Sequence, residues 1–254
     1  MTKHPFWRQL VYFVGDIRLL RHFPYVTWSV PEHRVSYGEI LEGLPRITYG
    51  DVGVHRDWGY LTNIAIPGFM KHAWIHVRDG IAAPQIVEAV SAGVIARSAI
   101  YPMVSDYTVI FSPRNVTDDE RKGACRKARQ IIGKGYDVDF AFDIERELRY
   151  FNGEDATGAR ADLQQGQRLI RAYDPAFTCT EVVSYAWWHR REALRLIRRE
   201  VLGQKIILAD DFFNDGWRIT WMSRSITPET AHRHGLHEEG CDMIADYRRG
   251  RVRP

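Results

Sequence analysis

Cysteine is scarce in this sequence, no apolar run is long, and charge of one sign does not dominate. The 254 residues contain 3 cysteines. Cys125, Cys179 and Cys241 cannot all pair internally, and they lack both disulfide-scaffold and Cys-x-x-Cys spacing. A reducing compartment is the expectation that follows. The apolar run Leu10-Val11-Tyr12-Phe13-Val14 is cut short by Asp16 and Arg18. It falls short of the roughly 20 residues of a membrane span and lacks the cleavage site of a signal peptide. Cytoplasmic residence is therefore expected, with export by a route without a signal peptide left open. The balance of 35 Lys+Arg against 32 Asp+Glu leaves +3, no strong nucleic-acid signal. Internal repeats and low-complexity tracts are absent. What remains is 45% hydrophobic and 26% charged, an ordinary globular composition that excludes collagen-like, coiled-coil-only and wholly disordered chains.

The pattern along the chain divides it into three parts. Residues 1–46 read as an N-terminal extension, with an amphipathic helix over 6–23 that places Trp7, Leu10, Val11, Val14 and Ile17 on one face. Residues 47–230 read as the main domain, and residues 231–254 as a polar basic tail. Strand-like runs at Asp51 to His55, Ala73 to Val77, Gln85 to Val90 and Tyr107 to Phe111 suggest a meander. Thr117-Asp118-Asp119-Glu120 has capping-box spacing and opens a helix that stops at Gly133, with Cys125 on its apolar face as a core thiol. Residues 152–167 are polar and glycine-containing and read as an inserted loop. A second helix opens at Thr178-Cys179-Thr180-Glu181 and is expected to run to about Val201. Its core stripe would be Val182, Ala186, Ala193, Ile197 and Val201, with Arg191, Arg195, Arg198 and Arg199 solvated opposite. Trp217, Ile219 and Trp221 alternate onto one sheet face. The class is α+β rather than a doubly wound sheet, with an antiparallel sheet packed against a cysteine-bearing helix.

Cys179 is the most informative residue. At the first position of a capped helix, unpaired backbone N–H groups and the helix dipole favour a thiolate. A nucleophilic thiolate needs a proton acceptor, and His72 stands at the mouth of a strand-like run after a Pro-Gly turn. The imidazole needs a polar partner to fix its tautomer, and Glu88 is an isolated acid in the apolar run Ile86-Val87-Glu88-Ala89. Taken singly, each residue also reads as inert thiol or satisfied polar group. Their joint order favours chemistry.

That order, from Tyr49-Gly50-Asp51-Val52-Gly53 through Ile66-Pro67-Gly68, Lys71-His72-Ala73-Trp74-Ile75, Ile86-Val87-Glu88-Ala89, Gly93-Val94 and Tyr136-Asp137 to Phe177-Thr178-Cys179-Thr180-Glu181-Val182-Val183, resembles the circularly permuted papain-like cysteine hydrolases of the NlpC superfamily, especially the YiiX-like group. The likeness covers about residues 47 to 222. It implies a permuted papain-like fold with Cys179 as nucleophile, His72 as base and Glu88 as its orienter. The family's small hydroxyl residue before the histidine is Lys71 here, and its serine after the cysteine is Thr180. Lys71, Thr180 and Tyr136 are the expected substrate contacts.

The activity implied is cleavage of an amide bond, in a small peptide or a cell-wall substrate, through a thioester, without a cofactor. Acyl transfer or lipid-ester cleavage at the same Cys-His-Glu site is the alternative within enzymes, for which Trp7, Phe13, Trp187-Trp188 and Phe212-Phe213 would suit an acyl chain as well as they suit a core. A non-enzymatic binding module with arginine-rich faces is the alternative outside them. His76, an even number of residues from His72 on a strand, is the fallback base. A zinc pair of His72 and His76 is disfavoured because the neighbourhood reads as strand. His232, His234, His237, Glu238 and Cys241 have ligand chemistry without zinc spacing, and Arg248 to Arg253 offer phosphate contacts on a segment expected to be disordered.

Overall fold

The computed structural model describes residues 17–19, 26–28, 33–57, 68–78, 85–136, 176–196, 199–201 and 204–251. In chain order the elements are β1 (Ile17–Leu19), β2 (Val26–Trp28), α1 (Tyr37–Gly43), β3 (Val52–Arg56), β4 (His72–Arg78), β5 (Gln85–Val90), β6 (Gly93–Ser98), α2 (Ile100–Met103), β7 (Tyr107–Pro113), α3 (Asp118–Gln130), β8 (Gly135–Tyr136), β9 (Ala176–Phe177), α4 (Cys179–Ala186), β10 (Arg199–Val201), β11 (Gln204–Ile206), β12 (Trp217–Met222), α5 (Pro228–Arg233) and α6 (Glu238–Arg248). The fold is α+β. Its centre is a six-stranded antiparallel sheet in the order β12-β7-β3-β4-β5-β6. The meander expected from the sequence holds from β3 to β6, but β7 then returns to pair with β3 on the far side. The pairing puts β3 and β4 in the middle, where both faces are covered and all five residues of β3 are buried.

Alternation along these strands divides the core in two. Val52, Val54, Ala73, Ile75, Val87, Ala89, Val109 and Phe111 face the layer that holds α3 and α4. Trp74, Ile86 and Ile110 face the other way, against Ile40 of α1 and Met103 of α2. A bulge in β12 moves Trp221 between these layers. The register runs Ile219↔Phe111 and then Trp221↔Ile110, so Thr220 is the extra residue. Trp217 and Ile219 join the first layer with Met222, whereas Trp221 joins the second, which corrects the expectation that all three alternate onto one face.

Three helices start with a residue whose backbone is held by a glutamate three positions on. The pairs are Ser36 with Glu39, Thr117 with Glu120, and Thr178 with Glu181. The last two were legible in sequence. α3 buries Cys125 as expected, together with Ala124, Ala128 and then Ile131, leaves Ile132 exposed, and ends before Gly133 at positive φ. α4 is shorter than expected. It ends at Ala186, and a 3-10 turn at Trp188–Arg190 and a turn with Arg195 at positive φ follow. Ala193 of the expected stripe is exposed, and Leu194 and Leu196 are buried instead. Residues 199–201 pair as a strand with β11.

Two further expectations change at the ends of the chain. Ile17–Leu19 is a strand paired with Val26–Trp28, which ends the helix expected over 6–23, while its remaining residues lie outside the described ones. Residues 231–254 are not a tail over their described length. Ala231 of α5, Leu236 between the two helices and Ile244 of α6 are buried, and Arg248 donates to the carbonyls of Ser223 and Ile226, so that side chain is structural. The apolar residues of this segment are too few to stand out against its charges, yet Ala231, Leu236 and Ile244 join the core, and Cys241, Met243 and Tyr247 pack against it. The 152–167 loop and Asp137 lie outside the described residues.

Gly53 marks the tightest approach in the sheet, because a Cβ there would overlap the indole of Trp74, its direct partner in β4. Gly53→Ala is expected to destabilise the fold by about 3 kcal/mol, since Trp74 is fully buried and has no room to retreat. Denaturant unfolding of the purified variant measures it.

Candidate active site

The cysteine helix is placed by the residues just before it. β9 pairs in parallel with β8, Tyr136↔Phe177, which anchors the chain two residues ahead of Cys179. Thr178 is extended, with φ −82° and ψ 169°, and its N–H donates to the Glu181 carboxylate at 2.6 Å. The helical turn therefore begins at Cys179. Val182, Val183 and Ala186 bury the other side of α4 against the sheet, so the N-terminus is held over the β4 and β5 ends.

The sheet leaves an opening at that point. In the antiparallel pattern the His76 N–H bonds the Asp51 carbonyl across to β3, so by alternation the Ala73 N–H points toward β5. The β4–β5 pairing runs from Arg78↔Gln85 only as far as Ile75↔Val87. The Cys179 sulfur takes the vacant place and accepts from the Ala73 N–H, from the Thr180 N–H at the start of its own helix, and from His72. Burial opposes ionisation of this thiol. The His72 charge and bond and the two N–H donors outweigh it and hold Cys179 below its ordinary pKa.

His72 stands at the first position of β4 with its side chain 21% exposed. Its Nε2 lies 2.9 Å from Glu88 Oε2, which leaves Nδ1 as the ring nitrogen for the sulfur. Burial favours the neutral ring, but the Cys179 thiolate and then Glu88 raise His72 to about 10. Glu88 is fully buried in β5, and Arg97 of β6 pairs with its other oxygen. Burial pushes that carboxyl up, whereas the His72 bond and charge and the Arg97 charge bring it down to about 2. The result is two anions and two cations in one buried line: Cys179, His72, Glu88 and Arg97. A thiolate–imidazolium pair of this kind attacks an electrophilic carbon and returns a proton.

The structure thus brings Cys179, His72 and Glu88 together and places Thr180 at the sulfur through its backbone. Lys71 is next to the site and half-buried. Burial and the neighbouring Arg56 lower it to about 8. Tyr136 is half-buried against the core and has the anchoring role described above. His76 is buried, with its backbone tied to Gly50 and Asp51, and His72 is the histidine that meets the sulfur. Trp187, Phe212 and Phe213 are core residues, and Arg191 covers Trp188 at 4.5 Å. His237 caps α6 through the Gly240 N–H, and no group of side chains able to hold a metal occurs among the described residues.

Three site residues were missed. Arg97 and His55 face the same side of the sheet as Glu88 and His72, a relation that alternation could have suggested only with the strand order known. Asp210 accepts the N–H groups of Phe69 and Met70, each at 2.6 Å, and so clamps the turn that leads into His72. Burial raises its carboxyl to about 6, against the pull of those two bonds. Gly68 in that turn has φ +92°, and a Cβ would meet the Asp210 carboxylate. No local pattern ties Asp210 to a turn some 140 positions earlier.

Glu88→Gln leaves His72 and Arg97 without their shared anion and is expected to cost about 3 kcal/mol. The sign with pH follows from the shifts. The Glu88 contribution is complete above its ordinary 4.5 and is lost as the pH falls toward about 2, whereas the His72 contribution is complete below 6.5 and is lost as the pH rises through about 10. Unfolding free energies of native and variant protein should therefore converge in acid. A difference that stays constant down to about pH 2 would exclude the ion pair. Comparison of the chain with protein-family models, with curated proteins and with solved structures finds no match, so the site is read from its own geometry.

Proposed function

We propose that this chain is a cysteine hydrolase that cleaves an amide bond, of a peptide or of a cell-wall type, through a thioester on Cys179. The observation that carries the reading is the Cys179 sulfur at a helix N-terminus, bonded to a His72 that Glu88 orients. The order of elements, with the histidine and glutamate strands ahead of the cysteine helix, fits the circularly permuted papain-like arrangement.

In the first half-reaction the thiolate attacks the carbonyl carbon. The oxyanion that forms lies at the start of α4, where the Cys179 N–H is the nearest helix donor not engaged by the cap. Loss of such a donor typically costs about 3–4 kcal/mol in the barrier. His72 gives its proton to the leaving amine as the C–N bond breaks, and the thioester remains. Water then attacks the thioester, His72 takes its proton, and the thiolate departs. Glu88 keeps the ring in place while its charge comes and goes. Lys71 suits an anionic group of the substrate beside the scissile bond, and Thr180 and Tyr136 are the further substrate contacts of this reading. No helix among the described residues is long and apolar enough to cross a membrane. We propose a cytoplasmic site of action.

The test is acylation by an activated ester. Native protein is expected to release the alcohol in a burst stoichiometric with enzyme, with the acyl group found by mass spectrometry on Cys179. His72→Ala should slow it by about 100-fold, in the range of general-base losses. Cys241, whose thiol burial and neighbouring acids push up, is the internal control. Acylation of Cys241 as fast as Cys179, or indifference to His72→Ala, would overturn the hydrolase. Product analysis on peptide amides and lipid esters then separates amide cleavage from acyl-chain chemistry.

A further inference from the structure

His55 is a buried histidine that the mechanism above does not use. It lies in β3 directly opposite His72 in β4, so the two side chains leave the sheet on the same face. Their ring centroids are 4.8 Å apart with planes at 48°. His55 is 8% exposed, and its Nδ1 is buried with no hydrogen-bond partner among the described residues. A buried polar atom left unmet asks for an explanation. The charged groups that bear on it all come from one side of β3, His72 of β4, Glu88 of β5 and Arg97 of β6, whereas its partner in β7 on the other side is the uncharged Thr108. Burial first, and then the His72 charge, hold it well below the ordinary histidine value, so the ring is neutral.

The His72 ring is bonded on one side to Glu88 and on the other to a sulfur that loses its charge when acylated. Two bonds in the plane of the ring leave it free to tilt about the line that joins them, and during the thioester stage only the Glu88 bond remains. A neutral ring in contact with it blocks that motion without adding a third cation beside His72 and Arg97. Packing rather than a bond from Nδ1 keeps His55 in place, so flatness and bulk are the properties that matter.

We propose, resting on the reading of Cys179 and His72 given above, that His55 is a positioning residue: its uncharged ring is the wall that holds the His72 imidazole between Glu88 and the Cys179 sulfur. The test is the rate of Cys179 alkylation by iodoacetamide near neutral pH, followed by mass spectrometry, which needs no substrate. His55→Ala is expected to slow alkylation by about tenfold, as small misplacements of reacting groups do, and His55→Phe to return it to within about threefold. Thermal unfolding reports whether each variant folds, and His55→Gln, with similar bulk and no ring, replaces an alanine variant that does not. Rescue by phenylalanine but not by glutamine supports a wall. Native rates in both His55→Ala and His55→Gln would overturn it, as would a phenylalanine variant as slow as alanine. If native Cys179 alkylates no faster than Cys241 and ignores His72→Ala, the site reading itself falls and the role of His55 with it. If Cys179 is fast and His72-dependent while His55 variants are silent, only the wall is lost.

Discussion

A buried line of alternating charge, from Cys179 through His72 and Glu88 to Arg97, is the constraint around which the rest of this molecule is arranged. Each member would be costly alone in a low-dielectric interior, and each is tolerated because the next neutralises it. The Thr180 amide of the helix and the Ala73 N–H finish the anionic end. Arg97, one-third exposed, finishes the cationic end near solvent. The chain therefore ties two sheet strands, an edge strand and a helix N-terminus to one electrostatic solution.

The fold supplies what that solution needs. β4 is central and paired to β3 at the His72 end but has no β5 partner there, so one strand end is both held and open. Asp210 clamps the turn before it from a segment far along the chain, and the carbonyl of that same residue meets His237 of the C-terminal helices. The C-terminal segment is in this way part of the support of the site. β8 and β9 perform the equivalent service for the helix.

How much was legible can be followed residue by residue. Capping at Thr117 and Thr178 is a short-range signal that depends on side chains three positions apart, and both helices start where it says. The ends were less legible. α4 stops at Ala186 because Trp187 turns into the core to bond the Gly50 carbonyl, a contact between residues 137 positions apart. Trp221 failed for a related reason, since one bulged residue in β12 reverses the face of all that follows, and strict alternation contains no sign of it. The C-terminal helices were masked by their charged surface.

The residue types and their local geometry were determined by the sequence alone: an amino-terminal cysteine on a capped helix, a histidine at a strand start, an acid in an apolar strand. Those follow from interactions within a few residues. Only the tertiary structure decided that the three meet, that Arg97 balances the acid, that Asp210 clamps the turn and that the His55 ring lies against that of His72, because each of these depends on strand order and register. Electrostatic partners in a buried site are chosen by distance through space, and neighbours in space across a sheet are not neighbours in the chain.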